Sequence, residues 1–362
     1  MKLSKLLWVA VMVISSIQIS FATILFVSEN PGSAPYSTIV AAYNVSATGD
    51  TIVVGPGNYT ANLQINNRNL HIIGAGWDVC TWNGYCHTFN SGASGTTIEG
   101  FQFVGSGPTH TLYSYTNADS VTFRRCYVTS QSGYHAVYCA AGRVYITDCA
   151  LVGNNSSCVN VTTAVDGNVV ARNCVFSVNN ANNSRYSFVG TNNGTIELYN
   201  NVFVNFINAF SVTGVPQVIG LNNIFWDWEG SASYGTLPVG SVFEYTAAGG
   251  GAPAFPSNFA NNINLGSNNP FVSYDDTYYQ YPTHNLHLNG GTGGLLCTDS
   301  GYPSIQDLDS TAADLGIYGG PKPFVDHGIA AFPFALTLDI DNLVEVGDSV
   351  NVVSSGRIGP RY

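Results

Sequence analysis

Along residues 96–225 the apolar positions alternate in short runs, slip by one residue, and resume in the opposite phase. In "VTFRRCYV" (121–128), Val121 and Phe123 share one phase while Cys126 and Val128 share the other. A period of two marks a strand with one buried face. Each octet therefore predicts two short strands meeting at a corner, here Arg124-Arg125. The octet recurs as "VYITDCAL" (144–151), "VVARNCVF" (169–176), "IELYNNVF" (196–203) and "VIGLNNIF" (218–225), with an earlier copy "TTIEGFQF" (96–103). Phe101, Cys126, Cys149, Cys174, Asn201 and Asn223 then form one column, at spacings of 25, 23, 25, 27 and 22 residues.

A further short apolar run precedes the octets, in "AVYC" (136–139), "CVNV" (158–161), "YSFV" (186–189) and "AFSV" (209–212), each followed by a glycine at a turn: Gly142, Gly167, Gly194 and Gly214. Coils of this length, with several short strands and no helical period, predict an all-β solenoid with three parallel sheets around one core. No coil buries its apolar face alone; stacked coils enclose a continuous one. Aligned positions on neighbouring coils lie ~4.8 Å apart. The column becomes an internal ladder of Cys126, Cys149 and Cys174 continued by Asn201 and Asn223. Three cysteines in line cannot all pair, and no histidine joins them as a metal ligand. They read as buried free thiols, and the asparagines as hydrogen-bonding groups at the bent backbone.

Composition adds a compartment. Lys2 and Lys5 precede an apolar run from Leu6 to about Ile17, and Ser20-Phe21-Ala22 supplies small residues for cleavage after Ala22. This is the pattern of a removed export signal, too short for a bilayer span. The division expected is 1–22 signal peptide, 23–321 solenoid with its terminal segments, and 322–362 linker and hairpin tail. An extracellular or cell-surface location follows. Charge is scarce: residues 227–362 carry fourteen acids against Lys322, Arg357 and Arg361, a net of −11. With no basic stripe to neutralise phosphates, nucleic acid is excluded as a partner.

"GDTIVVGPGNY" (49–59), "LQINNRNLHIIGAG" (63–76), "NNPFVSYDD" (268–276), "HNLHLNGG" (284–291) and "SGYPSIQDLDSTAADLGIYGGP" (300–321) resemble the opening and closing segments of secreted right-handed parallel β-helix proteins of the pectin-lyase-like superfamily. With the coils, the resemblance covers roughly 45–321. It implies a single-stranded right-handed parallel β-helix. It leaves activity open, since that superfamily holds polysaccharide lyases, glycoside hydrolases and adhesins. The polygalacturonase motifs are represented only by Asp275-Asp276, and "RIG" (357–359) lacks the lysine of Arg-Ile-Lys. Asp119, Asp148, Asp166 and Glu197 fall in four different columns, so they form no calcium site of the pectate-lyase kind.

The site candidates are correspondingly spread. Arg124 and Arg172 lie two coils apart in one column and, with Glu197, are the residues to test for catalysis on a polyuronate. Arg125 stacks on Asp148 of the next coil, as a corner salt bridge. Tyr274, Tyr278 and Tyr279, beside Asp275 and Asp276, offer aromatic faces for a sugar, or else pack over the end of the solenoid. Asp307, Asp309 and Asp314 alternate in a loop as calcium ligands do, or else bond their own backbone; no other cofactor is expected. Cys80 and Cys86 bracket "TWNGY" and predict a local disulfide in an oxidising compartment; Cys139, Cys158 and Cys297 have no assigned partner. Beyond 332, "FALTLDI" and "VEVGDSVNVV" predict a hairpin around Gly347-Asp348, too small to fold alone, which either caps the solenoid or docks on another surface. The function expected is a carbohydrate-binding or structural surface module, with a polysaccharide or cell-envelope component as partner and a lyase or glycosidase as the alternative.

Overall fold

The computed structural model describes residues 22–340 and 349–362, apart from 116, 141, 163–167, 180–185, 192–193, 215–216, 229–232, 254 and 256–258. The expected leader up to residue 21 lies outside the described residues, as do Asp166 and the hairpin turn. No described helix is long and apolar enough to cross a membrane.

The chain is a parallel β-solenoid. A first row of ten strands runs from Ile24–Val27 through Val121–Arg124, Val144–Thr147, Val169–Arg172 and Ile196–Tyr199 to Val242–Glu244. A second row includes Tyr127–Thr129, Ala150–Asn154, Val175–Asn179, Val202–Phe206 and Ile224–Trp228, and a third Leu112–Ser114, Val137–Cys139, Val159–Val161, Phe188–Thr191 and Phe210–Thr213. The rows are three, but the sheets are two. The nine-residue strand Cys80–Thr88 pairs Thr81 with Gln102 in the second row and Cys86 with Leu112 in the third, which fuses both rows into one sixteen-stranded sheet.

The predicted register holds at every rung. Tyr127 faces Gln102 and Ala150, and Ala150 faces Val175, Val175 faces Val202, and Val202 faces Ile224, which sets Phe101, Cys126, Cys149, Cys174, Asn201 and Asn223 on successive coils. The phase slip has a single cause. Between the first and second rows each coil places one residue in the left-handed region: Gly100, Arg125, Asp148, Asn173, Asn200, Asn222 and Tyr245, with φ from 48° to 80°. Asp and Asn are the side chains that tolerate this conformation best after glycine, and they supply most of the column. Just inside the corner, Asn201 Nδ2 donates to Asn223 Oδ1 (3.0 Å), and Asn201 Oδ1 accepts from the Cys174 N–H (3.0 Å). The thiols replace the amides in kind: Cys126, Cys149 and Cys174 each donate to the carbonyl two residues back at 3.1–3.2 Å.

Two apolar cores result. The first fills the solenoid, with Phe123, Phe176, Phe203, Phe210 and Phe225 stacked along it. The second lies outside. The outward positions of the second row (Tyr127, Ala150, Val175, Val202, Ile224, Ala247 and, two residues on, Val152, Val204, Trp226) are covered by Leu265, Phe271, Tyr274, Tyr279, Leu286, Leu315, Ile317 and Phe324. The closing segment is thus a strap along the flank rather than a lid over the end. At the other end the helix Ile39–Val45, N-capped by Thr38, buries Ile39 and Ala42 against the first coils.

The tail forms the expected antiparallel pair, Phe334–Ile340 with Val352–Arg357. Its base is clasped to the coils. Arg125, buried, donates to the carbonyls of Ile329 (2.9 Å) and Pro360 (2.8 Å), and Arg357 forks onto Asp78 (2.7 and 2.9 Å). Beyond that base, Leu338, Ile340, Val352 and Val353 are exposed.

Candidate saccharide-binding face

The outward side of the third row gathers aromatic and imidazole rings over consecutive coils. His87, Tyr113, Tyr138 and Asn160 share one column, flanked by Tyr85, Phe89 and Tyr115 on their own strands and by His110, Tyr134 and His135 at the turns leading in. Tyr85 stacks on His87 (4.3 Å between centroids), Phe89 on Tyr115 (4.0 Å) and His110 on both Tyr138 (4.4 Å) and His135 (5.1 Å). The tyrosines, Phe89, His110 and His135 are half-buried, whereas His87 is buried. Alternation along the strand places them there: Cys86, Leu112, Val137 and Cys139 point inward, so the residues between them point out.

The imidazoles are neutral, and their contacts say why. His87 Nε2 donates to the His110 carbonyl (2.9 Å), and burial pushes its pKa down. His110 Nδ1 accepts from the His135 backbone N–H (3.1 Å); burial, then His135 and His87, push its pKa down to about 4. His135 Nε2 accepts from the Asn160 amide (2.9 Å) while Nδ1 faces the Ser157 carbonyl (3.3 Å), and burial again lowers its pKa. None of the side chains named on this face is an acid, and none carries a permanent charge. It is an uncharged, ring-rich surface with hydroxyl and amide groups at its edges.

The residues singled out from sequence lie elsewhere. Arg124 and Arg172 do share a column, separated by Thr147, on the outside of the first row. Each is engaged there. Arg124 Nε donates to Glu99 (2.6 Å), whose other oxygen meets His71 Nε2 (3.1 Å). Burial alone would raise the Glu99 pKa, but the His71 hydrogen bond and the Arg124 charge hold it below the usual range. Arg172 lies over the Tyr199 ring (4.7 Å), and the Tyr199 hydroxyl donates to Glu197 (3.0 Å). Glu197 and Glu99 are four coils apart, roughly 19 Å, so they cannot act as the paired carboxylates of a glycosidase. Arg125 does meet Asp148 (3.7 Å), as expected, but its main partners are in the tail.

The structure places three further groups singled out from sequence. Tyr274 and Tyr279 are buried in the outer core and Tyr278 packs beside them, with Tyr274 donating to Asp227 (2.9 Å), so this cluster presents no stacking face. Asp307 accepts from the Asp314 and Gly320 N–H groups, Asp309 from Thr311, and Asp314 from Asp299. These carboxylates bond the loop's own backbone, and no three His, Cys, Asp or Glu side chains converge among the described residues. Cys80 and Cys86 stand six residues apart on one extended strand, roughly 20 Å, and all eight cysteines are buried and free. His284 and His287 face different partners, Asp275 (2.7 Å) and the Tyr318 ring (3.6 Å).

No family model and no curated protein matches this chain. Solved structures do. A pectate lyase, Pel9A, superposes with a TM-score of 0.45 at 15% identity, covering 83% of this chain and 96% of its own. A pectin methylesterase from Aspergillus niger gives 0.34 at 14% identity, covering 71% and 89%. A polysaccharide lyase of the PL6 family from Pseudopedobacter saltans gives 0.32 at 12%, covering 74% and 96%.

Proposed function

We propose that this protein is an exported, surface-acting polysaccharide-binding β-helix that holds an uncharged glycan across the coils of its third row. The observation that carries this reading is the Tyr85–Tyr113–Tyr138 face. Sugar rings present flat C–H surfaces edged by hydroxyls. Aromatic faces cover the first, and the tyrosine hydroxyls satisfy the second. Repetition of the rings from coil to coil suits a repeating chain. Neutral imidazoles and the absence of Lys or Arg among the named lining side chains favour a neutral polymer over a polyuronate. The leader pattern of Lys2, Lys5 and the following apolar run supports export. The lack of paired carboxylates among the lining side chains supports retention rather than cleavage.

The test is retention of the purified protein on insoluble neutral and acidic polysaccharides. Neutral glycans are expected to retain it. Tyr113→Ala and Tyr138→Ala should each weaken retention about 30-fold, the effect of removing an aromatic anchor worth about 2 kcal/mol. Preference for polyuronates, or release of unsaturated uronate products, would overturn the reading in favour of a lyase.

A further inference from the structure

A second concavity opens where the flanking strap begins, on the outward face of the second row. It encloses about 350 Å³ and is lined by Trp77, Asp78, Gln102, Tyr127, Tyr281 and Pro282. The register explains its floor: Thr81, Gln102 and Tyr127 are successive outward positions of one column, and the strap covers that column only from Tyr127 onward. Trp77 forms the inner wall, edge-on to Tyr281 (6.0 Å) and tilted to Tyr127 (6.3 Å). The wall aromatics are held: Tyr127 donates to the Tyr279 carbonyl (3.2 Å), and the Tyr281 hydroxyl meets His327.

The polar groups are disposed for a ligand. Gln102 Oε1 accepts from Thr81 (3.4 Å), and its two amide N–H donors have no partner among the described residues. Asp78 is fixed by the Arg357 fork, and its Oδ2 lies 3.3 Å from His327 Nδ1, while Oδ1, which accepts from Arg357, retains a lone pair. Rigid aromatic walls, a spare amide donor pair and a pre-positioned carboxylate acceptor recognise a polyhydroxylated ring. The volume is at the small end for ligand sites and suits one ring. Arg357 is spent on Asp78, so no cation remains among the lining residues to take an acidic group, and the Asp78 carboxylate repels one.

We infer that this cleft is a separate site for a single uncharged sugar residue, such as a chain end or branch. It is independent of the third-row face: along the shared strand, Thr81 beside the cleft and His87 on the face are six residues apart, roughly 20 Å.

The experiment is titration of the purified protein with neutral monosaccharides and with galacturonate, followed by tryptophan fluorescence, to which Trp77 contributes from the wall. Saturable millimolar binding of at least one neutral sugar is expected. It should weaken at least tenfold in Gln102→Leu, vanish in Gln102→Trp, which fills the cleft, and be unchanged in Tyr113→Ala. Unfolding midpoints matching wild type confirm that the variants are folded. Absence of saturable binding, unchanged affinity in Gln102→Leu, or equal binding of galacturonate would overturn the assignment. Because Tyr113→Ala weakens only polymer retention, failure of the cleft and failure of the third-row face are read separately.

Discussion

His110 shows how a single side chain can tie this fold to pH. Its neutral ring is wedged between Tyr138 and His135, and its pKa falls to about 4 from an ordinary value of 6.5. Between those values the unfolded chain binds more protons than the folded one, so stability rises with pH across that window and is lost as pH falls through it. His87 and His135 are shifted in the same direction. The unfolding midpoint should therefore drop between pH 6.5 and 4, and His110→Phe should flatten that slope in a urea titration at several pH values. The thiols make a second prediction at this scale. Burial pushes Cys80 and Cys139 up to about 12 and Cys126 and Cys149 well above their ordinary value. A thiol-reactive dye should leave the native protein unlabelled and find eight free thiols after denaturation; finding six would restore the Cys80–Cys86 bridge.

Among the elements, the hairpin tail divides into an anchor and a projection. Arg125 is buried with its guanidinium on the Ile329 and Pro360 carbonyls, so Arg125→Ala leaves a hole and unpaired acceptors and should cost about 3 kcal/mol of unfolding free energy. The projecting side chains behave differently. Leu338→Ser with Val353→Ser should change stability by no more than about 0.5 kcal/mol each, while attachment of the protein to a surface through its tail would be abolished. Unimpaired attachment in that variant would leave the hairpin as a cap alone. The strands themselves were legible in the sequence, because the one-residue slip at each corner repeats at nearly constant spacing. The clasp was not. Arg125 and Pro360 are 235 positions apart, and nothing local marks their meeting. The ring-rich face lay between these extremes. Tyr85, His87 and Phe89 alternate, as do Tyr113 and Tyr115, and both sets sit at equivalent points of adjacent coils. Outward positions carry no core pattern, whereas the denser tyrosines of 271–281 pack into the outer core.

For the molecule as a whole, the strap changes what kind of object the solenoid is. The runs "ALV", "VFSV", "VFV" and "IFW" in the second row lack strict alternation, as strands covered on both faces do. A bare stack of coils is a one-dimensional array that can fray from either end. Here residues 263–324 lie across coils from Tyr127 to Ala247 and tie them together. A consequence concerns order in time. The coils emerge first from whatever machine makes or exports the chain, yet their second row stays uncovered until the last quarter of the polypeptide arrives. Each half-made molecule carries an apolar stripe along its side, and only completion removes it. Truncated chains ending near residue 260 should accumulate as sticky, protease-sensitive coils, and adding the strap back in trans as a peptide of residues 263–325 should restore resistance. The final segment works as a seal of completeness: a chain that has not finished cannot pass for one that has.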